Sequence, residues 1–203
     1  MTNVCDPAAV QRVDVPERQL YREHMGSLTI QLPKQRTRTA FNLRRWDEVL
    51  GDTALARFEG RIETDRHGNV IMGPPPAASH GGYQSRICSL LDRLMPTGRV
   101  TTECPISTAD GVRAADIAWA SPDCMRHLGN RAVYPRCPEI CVDVLSPRNT
   151  RTEIEEKAQL YFDAGGREVW LCSQTGAMTF LNSDGPTAAS GLCPEFPKRI
   201  KLR

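Results

Sequence analysis

PEICVDVLSPRNTRTEIEEKAQLYFDAGGREVWLC, residues 138–172, decides the fold. Its first part, EICVDVLS, is apolar at positions that point to both faces of a strand, as in a central strand covered on both sides. From Thr152 to Ala164 apolar residues recur at helical spacing, and Gly165 and Gly166 close that helix. REVWLCS then reads as another strand, and AMTFL after it as one more. The tail, CPEFPKRIKLR, is expected to add an edge strand.

Working upstream, RVTTECPIS and ADIAWA read as two strands joined by an ADG turn, and residues 121–137 as a polar loop. Before them, Ser79 is placed to cap a helix whose stripe is Tyr83, Ile87, Leu90, Leu91 and Leu94, stopped by Pro96 and Gly98. RFEGRIE and VIM flank DRHGN, a hairpin signature, and the prolines of residues 74–76 end the second strand. A short helix is expected from Asn42 as N-cap through Leu43, Trp46, Val49 and Leu50. The expected organisation is an extension over residues 1–41 and one domain over 42–203. Its class is α/β or α+β, a mixed sheet with helices on its faces.

With 203 residues, 40% hydrophobic and 25% charged, the chain can bury a full core without staples. A formal net charge of +2 neither supports nor excludes a nucleic-acid partner. No apolar run approaches the roughly 20 residues that span a bilayer, and no signal-peptide stretch opens the chain, so the expected location is the cytoplasm. The eight cysteines include no CxxC; Cys137 and Cys141 have three residues between them and the others are scattered. They read as buried thiols, with metal or disulfide use left open.

The chemistry shows where charge stands in apolar surroundings. Alternation puts Asp116 on one strand face with Ala118 and Ala120, and Ile117 and Trp119 on the other. Asp143 sits between Val142 and Val144 in the most hydrophobic strand. A buried carboxylate costs several kcal/mol unless it is paired or bound to a metal. Lys157 falls inside the apolar arc of its helix, next to Tyr161, and from there could reach Asp143. Two carboxylates and a lysine at one sheet edge can hold Mg²⁺ and hydrolyse a phosphodiester, with Glu59 as a fourth member. The same residues also fit a structural reading, in which the acids pair with neighbouring helices and Lys157 pairs or reaches solvent.

RFEGRIE, the Pro-rich stretch with His80, RAADIAWASP and the stretch quoted first together resemble one family. It is the bacterial Uma-two family of restriction endonucleases, a branch of the PD-(D/E)XK superfamily, and the resemblance runs from about Asn42 to about Leu181. It implies a restriction-endonuclease-like core and Mg²⁺- or Mn²⁺-dependent hydrolysis of DNA, with a homodimer cutting both strands. Carried over, the catalytic residues are Asp116, Asp143, Lys157 and Glu59, with the metal on Asp116, Asp143 and Glu59. Ala115 stands where the family has proline, and Asp143 where it more often has glutamate, one methylene longer. His80 matches a family histidine, and His80, Arg148 and Arg151 are candidate substrate contacts, against the plainer reading of a helix-start histidine and solvated loop arginines. Two further readings stay open: a nucleic-acid-binding module that keeps the fold without cutting, and an interaction protein with a buried salt-bridge network.

Overall fold

A computed structural model describes residues 35–202 of the chain. Most of the extension expected over residues 1–41 lies outside the described residues, as does Cys5. The first element, α1 (Gln35–Gly51), starts well before Asn42. Asn42 is therefore mid-helix rather than an N-cap, and the reason is tertiary. Its buried Nδ2 donates to Ser107 Oγ (2.9 Å), Thr108 O (2.9 Å) and Gly111 O (3.1 Å). Trp46 and Val49 of α1 are buried with Val112 and Val133, while Leu50, expected on the same stripe, is 56% exposed.

The RFEGRIE–VIM hairpin forms as β1 (Arg61–Thr64) and β2 (Val70–Gly73), a two-stranded antiparallel sheet of its own. α2 (Ala78–Leu94) follows with Ala77 at its N-cap position. Ser79 is thus already inside the helix, and His80 lies in its first turn. The main sheet has six strands in the order β3 (Arg99–Thr108), β4 (Gly111–Ala120), β5 (Ile140–Val144), β6 (Glu168–Cys172), β7 (Met178–Asn182) and β8 (Gly185–Thr187). β5 and β6 run parallel across α4 (Arg151–Asp163), and every other pair is antiparallel. The expected mixed sheet with helices on its faces is what forms.

Both faces of the sheet are covered, which explains the doubly apolar β5. Ile140, Val142 and Val144 pack with Ile87 and Leu91 of α2 and with Ile117 and Trp119 of β4. Cys141 packs on the other face with Ala158 and Tyr161 of α4 and with Ala118 and Ala120 of β4. Asp143, two residues after Cys141, therefore projects toward α4. The loop over 121–137 contains an unexpected helix, α3 (Pro122–Leu128), whose N-cap Ser121 accepts from Cys124 N. Its signal was a capping serine followed by proline at the first helical position. α4 begins with a complete capping box between Thr150 and Glu153.

The tail makes only an isolated bridge, of Arg199 with Ala177 just ahead of β7. Elsewhere it packs as loop. Phe196 lies 4.5 Å from Trp170 between ring centroids, and buried Glu168 accepts from Trp170 Nε1, Ser190 Oγ, Gly191 N and Leu192 N. Of the described residues, no helix is long and apolar enough to cross a membrane.

Two features place the small sheet against the large one. Gly111 has φ +88°, and a Cβ there would lie 2.2 Å from Thr64 O, so only glycine fits. Val112 N donates to Thr64 Oγ1 (3.0 Å), and Ala114 N to Glu63 Oε1 (2.9 Å). Replacing Asn42 with alanine should lower the unfolding free energy by about 2 kcal/mol, because buried acceptors lose their donor; urea denaturation of the two chains measures this directly.

Candidate active site

Asp116 lies at a break in the β3–β4 ladder. The register pairs Thr102 with Ile117 and Cys104 with Ala115, skipping Glu103 opposite Asp116. Glu103 takes φ +47°, among the described residues the one non-glycine with positive φ. Strand alternation also breaks here, since Ala115 and Ala118 both face α4 while Ile117 faces α2. Such distortions re-aim side chains and recur beside functional sites.

Around that break, side chains from six elements converge. Asp116 Oδ2 accepts from Val144 N of β5 (2.6 Å), and Oδ1 meets the guanidinium of Arg61 from β1. Asp143 Oδ1 accepts from Lys157 Nζ of α4 (3.2 Å) and from Asp116 N (3.4 Å). Lys157 also donates to Ala114 O (2.9 Å) and lies 3.6 Å from Glu63 Oε1. From α2, Gln84 Nε2 donates to Asp116 O (2.7 Å) and Glu103 Oε1 (3.0 Å). His80 Nε2 stands 3.3 Å from Asp116 Oδ1, buried yet without a well-directed hydrogen bond. A cleft of about 90 Å³ opens beside the group, lined by Arg61, Asp116, Asp143, Asn149, Glu153 and Lys157 among others.

The profile of one family, described as "Putative restriction endonuclease" and called Uma2, matches residues 52–186, a span that holds every residue of this group. The chain belongs to the Uma2 family. No curated protein matches it. Among solved structures, this Uma2 chain is similar to one described as "a putative nuclease belonging to DUF820 from Anabaena variabilis ATCC 29413". The two are 17% identical over 77% of this chain and 93% of that one, with a TM-score of 0.58, a likeness that shows the fold.

Of the residues singled out from sequence, Asp116, Asp143, Lys157 and His80 meet here. Glu59 does not join them: it lies exposed ahead of β1, and Glu63, four residues on, stands beside Lys157 instead. The signal for Glu63 was the period of two that puts Arg61 and Glu63 on one face of β1. Glu103 was also readable, because counting back from the two-residue turn between Thr108 and Gly111 sets it opposite Asp116. Gln84 follows His80 by one helical turn. Arg148 is exposed on the β5–α4 loop, and Arg151, 91% exposed, pairs with Glu155 at 2.6 Å instead of facing the cleft. Tyr161 is fully buried beneath Lys157, whose Nζ sits 5.7 Å from the ring centroid, so it is a core residue.

His80, Glu103 and Asp116 each bring one ligand atom within 4.8 Å of the other two, a group that could hold a metal ion. An imidazole with two carboxylates suits ions of the Mn²⁺ kind better than Mg²⁺, which prefers oxygen alone. His80 Nε2, beside Asp116 Oδ1 but without a well-directed hydrogen bond, fits that use.

The charges nearby are unevenly compensated. Burial pushes the Asp116 carboxyl up, but His80, Arg61 and Lys157 outweigh it and hold the group at about 2. For Asp143, burial and the charge of Asp116 prevail over Lys157, and its value rises above the ordinary 3.8. Lys157 resists burial through Asp143 and Glu63, and its value moves above 10.5. Glu63, although partly buried, is held below 4.5 by Lys157, Ala114 N and Arg113. His80 rises above 6.5 through Asp116, against burial. A histidine that holds its proton more tightly when folded contributes stability that is complete below pH 6.5 and is lost as pH rises through the folded value. In metal-free protein the His80 ring should titrate above 6.5 by NMR, and Asp116→Asn should bring that midpoint down.

Proposed function

We propose that this Uma2 chain is a divalent-cation-dependent endonuclease that hydrolyses phosphodiester bonds of DNA. The observation that carries the reading is the convergence of Asp116, Asp143 and Lys157 on one cleft, with Glu63 against Lys157, from strands and a helix remote in sequence. Carboxylates of this density in low dielectric repel one another by about 4 kcal/mol per pair at 4 Å unless countercharge stands between them.

In this reading Asp116, His80 and Glu103 would hold a Mn²⁺ or Mg²⁺ ion, with Asp143 as a further carboxylate of the same cluster. When bound, that ion supplies Lewis acidity toward a phosphate oxygen and a water of lowered pKa. Asp116 stays anionic across the physiological range and so serves as a ligand rather than as a base. Lys157 keeps its proton, so it acts as a donor. Ala114 O and Asp143 fix its ammonium where it can orient the attacking water or meet charge developing on the phosphate. Gln84 and Val144 N each occupy one acidic oxygen and hold the carboxylates in place. The described residues carry one such group, so cutting both strands of a duplex calls for two copies, as a homodimer would supply.

A second reading is favoured by one observation. Arg61 and Lys157 already countercharge Asp116 and Asp143 without any metal, as a non-cutting nucleic-acid-binding module or a purely structural ion-pair network would have it. Incubation with supercoiled plasmid separates these. With Mn²⁺ or Mg²⁺ the wild type should nick the plasmid, and Asp116→Asn and Lys157→Ala should each lower the rate by at least a hundredfold, within the range such groups contribute. DNA binding by gel shift without nicking under any divalent ion would favour the module, and neither activity would favour the network.

A further inference from the structure

We propose that Arg61 is the resident cation of the His80–Glu103–Asp116 group and that a divalent ion binds there by displacing its guanidinium. The proposal deepens the nuclease reading above and rests on it for the identity of the site. Arg61 Nη2 touches Asp116 Oδ1 and lies 3.1 Å from Glu103 Oε2. Those carboxylates supply two of the three donors that stand within 4.8 Å of one another.

The other oxygen of each carboxylate is pinned independently of Arg61. Val144 N donates to Asp116 Oδ2 at 2.6 Å, and Gln84 Nε2 donates to Glu103 Oε1 at 3.0 Å. Withdrawing the guanidinium therefore leaves Oδ1 and Oε2 free, on side chains that are still held. A guanidinium is a fixed fork of donors. It serves the two oxygens and leaves His80 Nε2, buried beside them, without a hydrogen bond. A metal ion uses all three donors, so the site is better matched to a metal than to its present occupant.

Arg61 is also the cation of the group best placed to leave. Its side chain is 26% exposed, it lines the adjoining cleft, and it sits on the separate β1–β2 sheet rather than on the six-stranded one. Lys157, by contrast, donates to Ala114 O and Asp143 and faces neither Glu103 nor His80 in any described hydrogen bond or ion pair.

Mn²⁺ titration followed by electron paramagnetic resonance tests this without reference to catalysis. Arg61→Gln should bind Mn²⁺ at least tenfold more tightly than the wild type, and Asp116→Asn should bind it more weakly. Equal or weaker binding by Arg61→Gln overturns the proposal, as does failure of both chains to bind. Should Arg61→Gln not fold, wild-type crystals soaked in Mn²⁺ decide. An anomalous peak among His80, Glu103 and Asp116, with the Arg61 side chain turned away, supports displacement. A peak elsewhere, or Arg61 still on Asp116, overturns it. Plasmid nicking by a wild type whose Arg61→Gln variant gains no affinity would leave the nuclease reading standing and remove the displacement. Tighter binding by the variant with no nicking by the wild type would do the reverse.

Discussion

Two buried aspartates on adjacent antiparallel strands impose the constraint on which the rest of the molecule depends. Asp116 and Asp143 are 1% and 8% exposed, and the backbone amide of one donates to the carboxylate of the other. Neither can stay ionised in that position without cations brought from elsewhere in the chain. The surrounding architecture supplies them. α4 crosses the face toward which Asp143 projects and delivers Lys157; β1 delivers Arg61; α2 starts where His80 can meet Asp116. The parallel β5–β6 pair is what makes α4 a crossover helix, so the topology of the sheet and the neutralisation of the acids are one problem with one solution.

Much of this was legible in the sequence because it breaks a pattern. An aspartate in the run Val142–Asp143–Val144 and a lysine in the apolar arc of a helix announce themselves against the periodicity of their own elements. The mixed sheet and the hairpins also follow from local signals, whereas α4, read from Thr152, is capped two residues earlier by Thr150. What was not legible arises from tertiary packing. Asn42 looked like a helix start because asparagine favours that position, but its amide is consumed by the β3–β4 turn, and the helix extends beyond it. Glu63 and Glu103 are ordinary residues of amphipathic strands until register places them beside Lys157 and Asp116. Glu59 shares the period of two with Arg61 and Glu63, but it lies ahead of β1 and stays exposed, so it does not reach the group.

The distortion at Glu103 and Asp116 has a structural logic. Regular alternation along β4 would send Asp116 into the α4 face beside Ala118, away from α2. The skipped pair and the left-handed Glu103 turn both acidic side chains toward Gln84 and the start of α2. The cost is a lost ladder contact and a strained backbone of order 1–3 kcal/mol. It is offset by the dense hydrophobic packing of Ile117 and Trp119 immediately downstream. That the chain retains such a residue in the middle of a ten-residue strand fits a position governed by its side chain rather than by the ladder.

The β1–β2 sheet rests on β4 through Thr64, Glu63 and the close approach at Gly111. It carries Arg61 and Glu63 inward side by side, one charge of each sign. Lifting this hairpin away would thus withdraw equal and opposite charges, and the acidic centre left behind would keep its net charge. A local opening of that kind would nonetheless part Arg61 from Asp116 and Glu103, and Glu63 from Arg113 and Lys157, and would strip Ile62 and Val70 from the cluster around Trp46, so the hairpin's hold on the molecule is short-range pairing and packing rather than net charge.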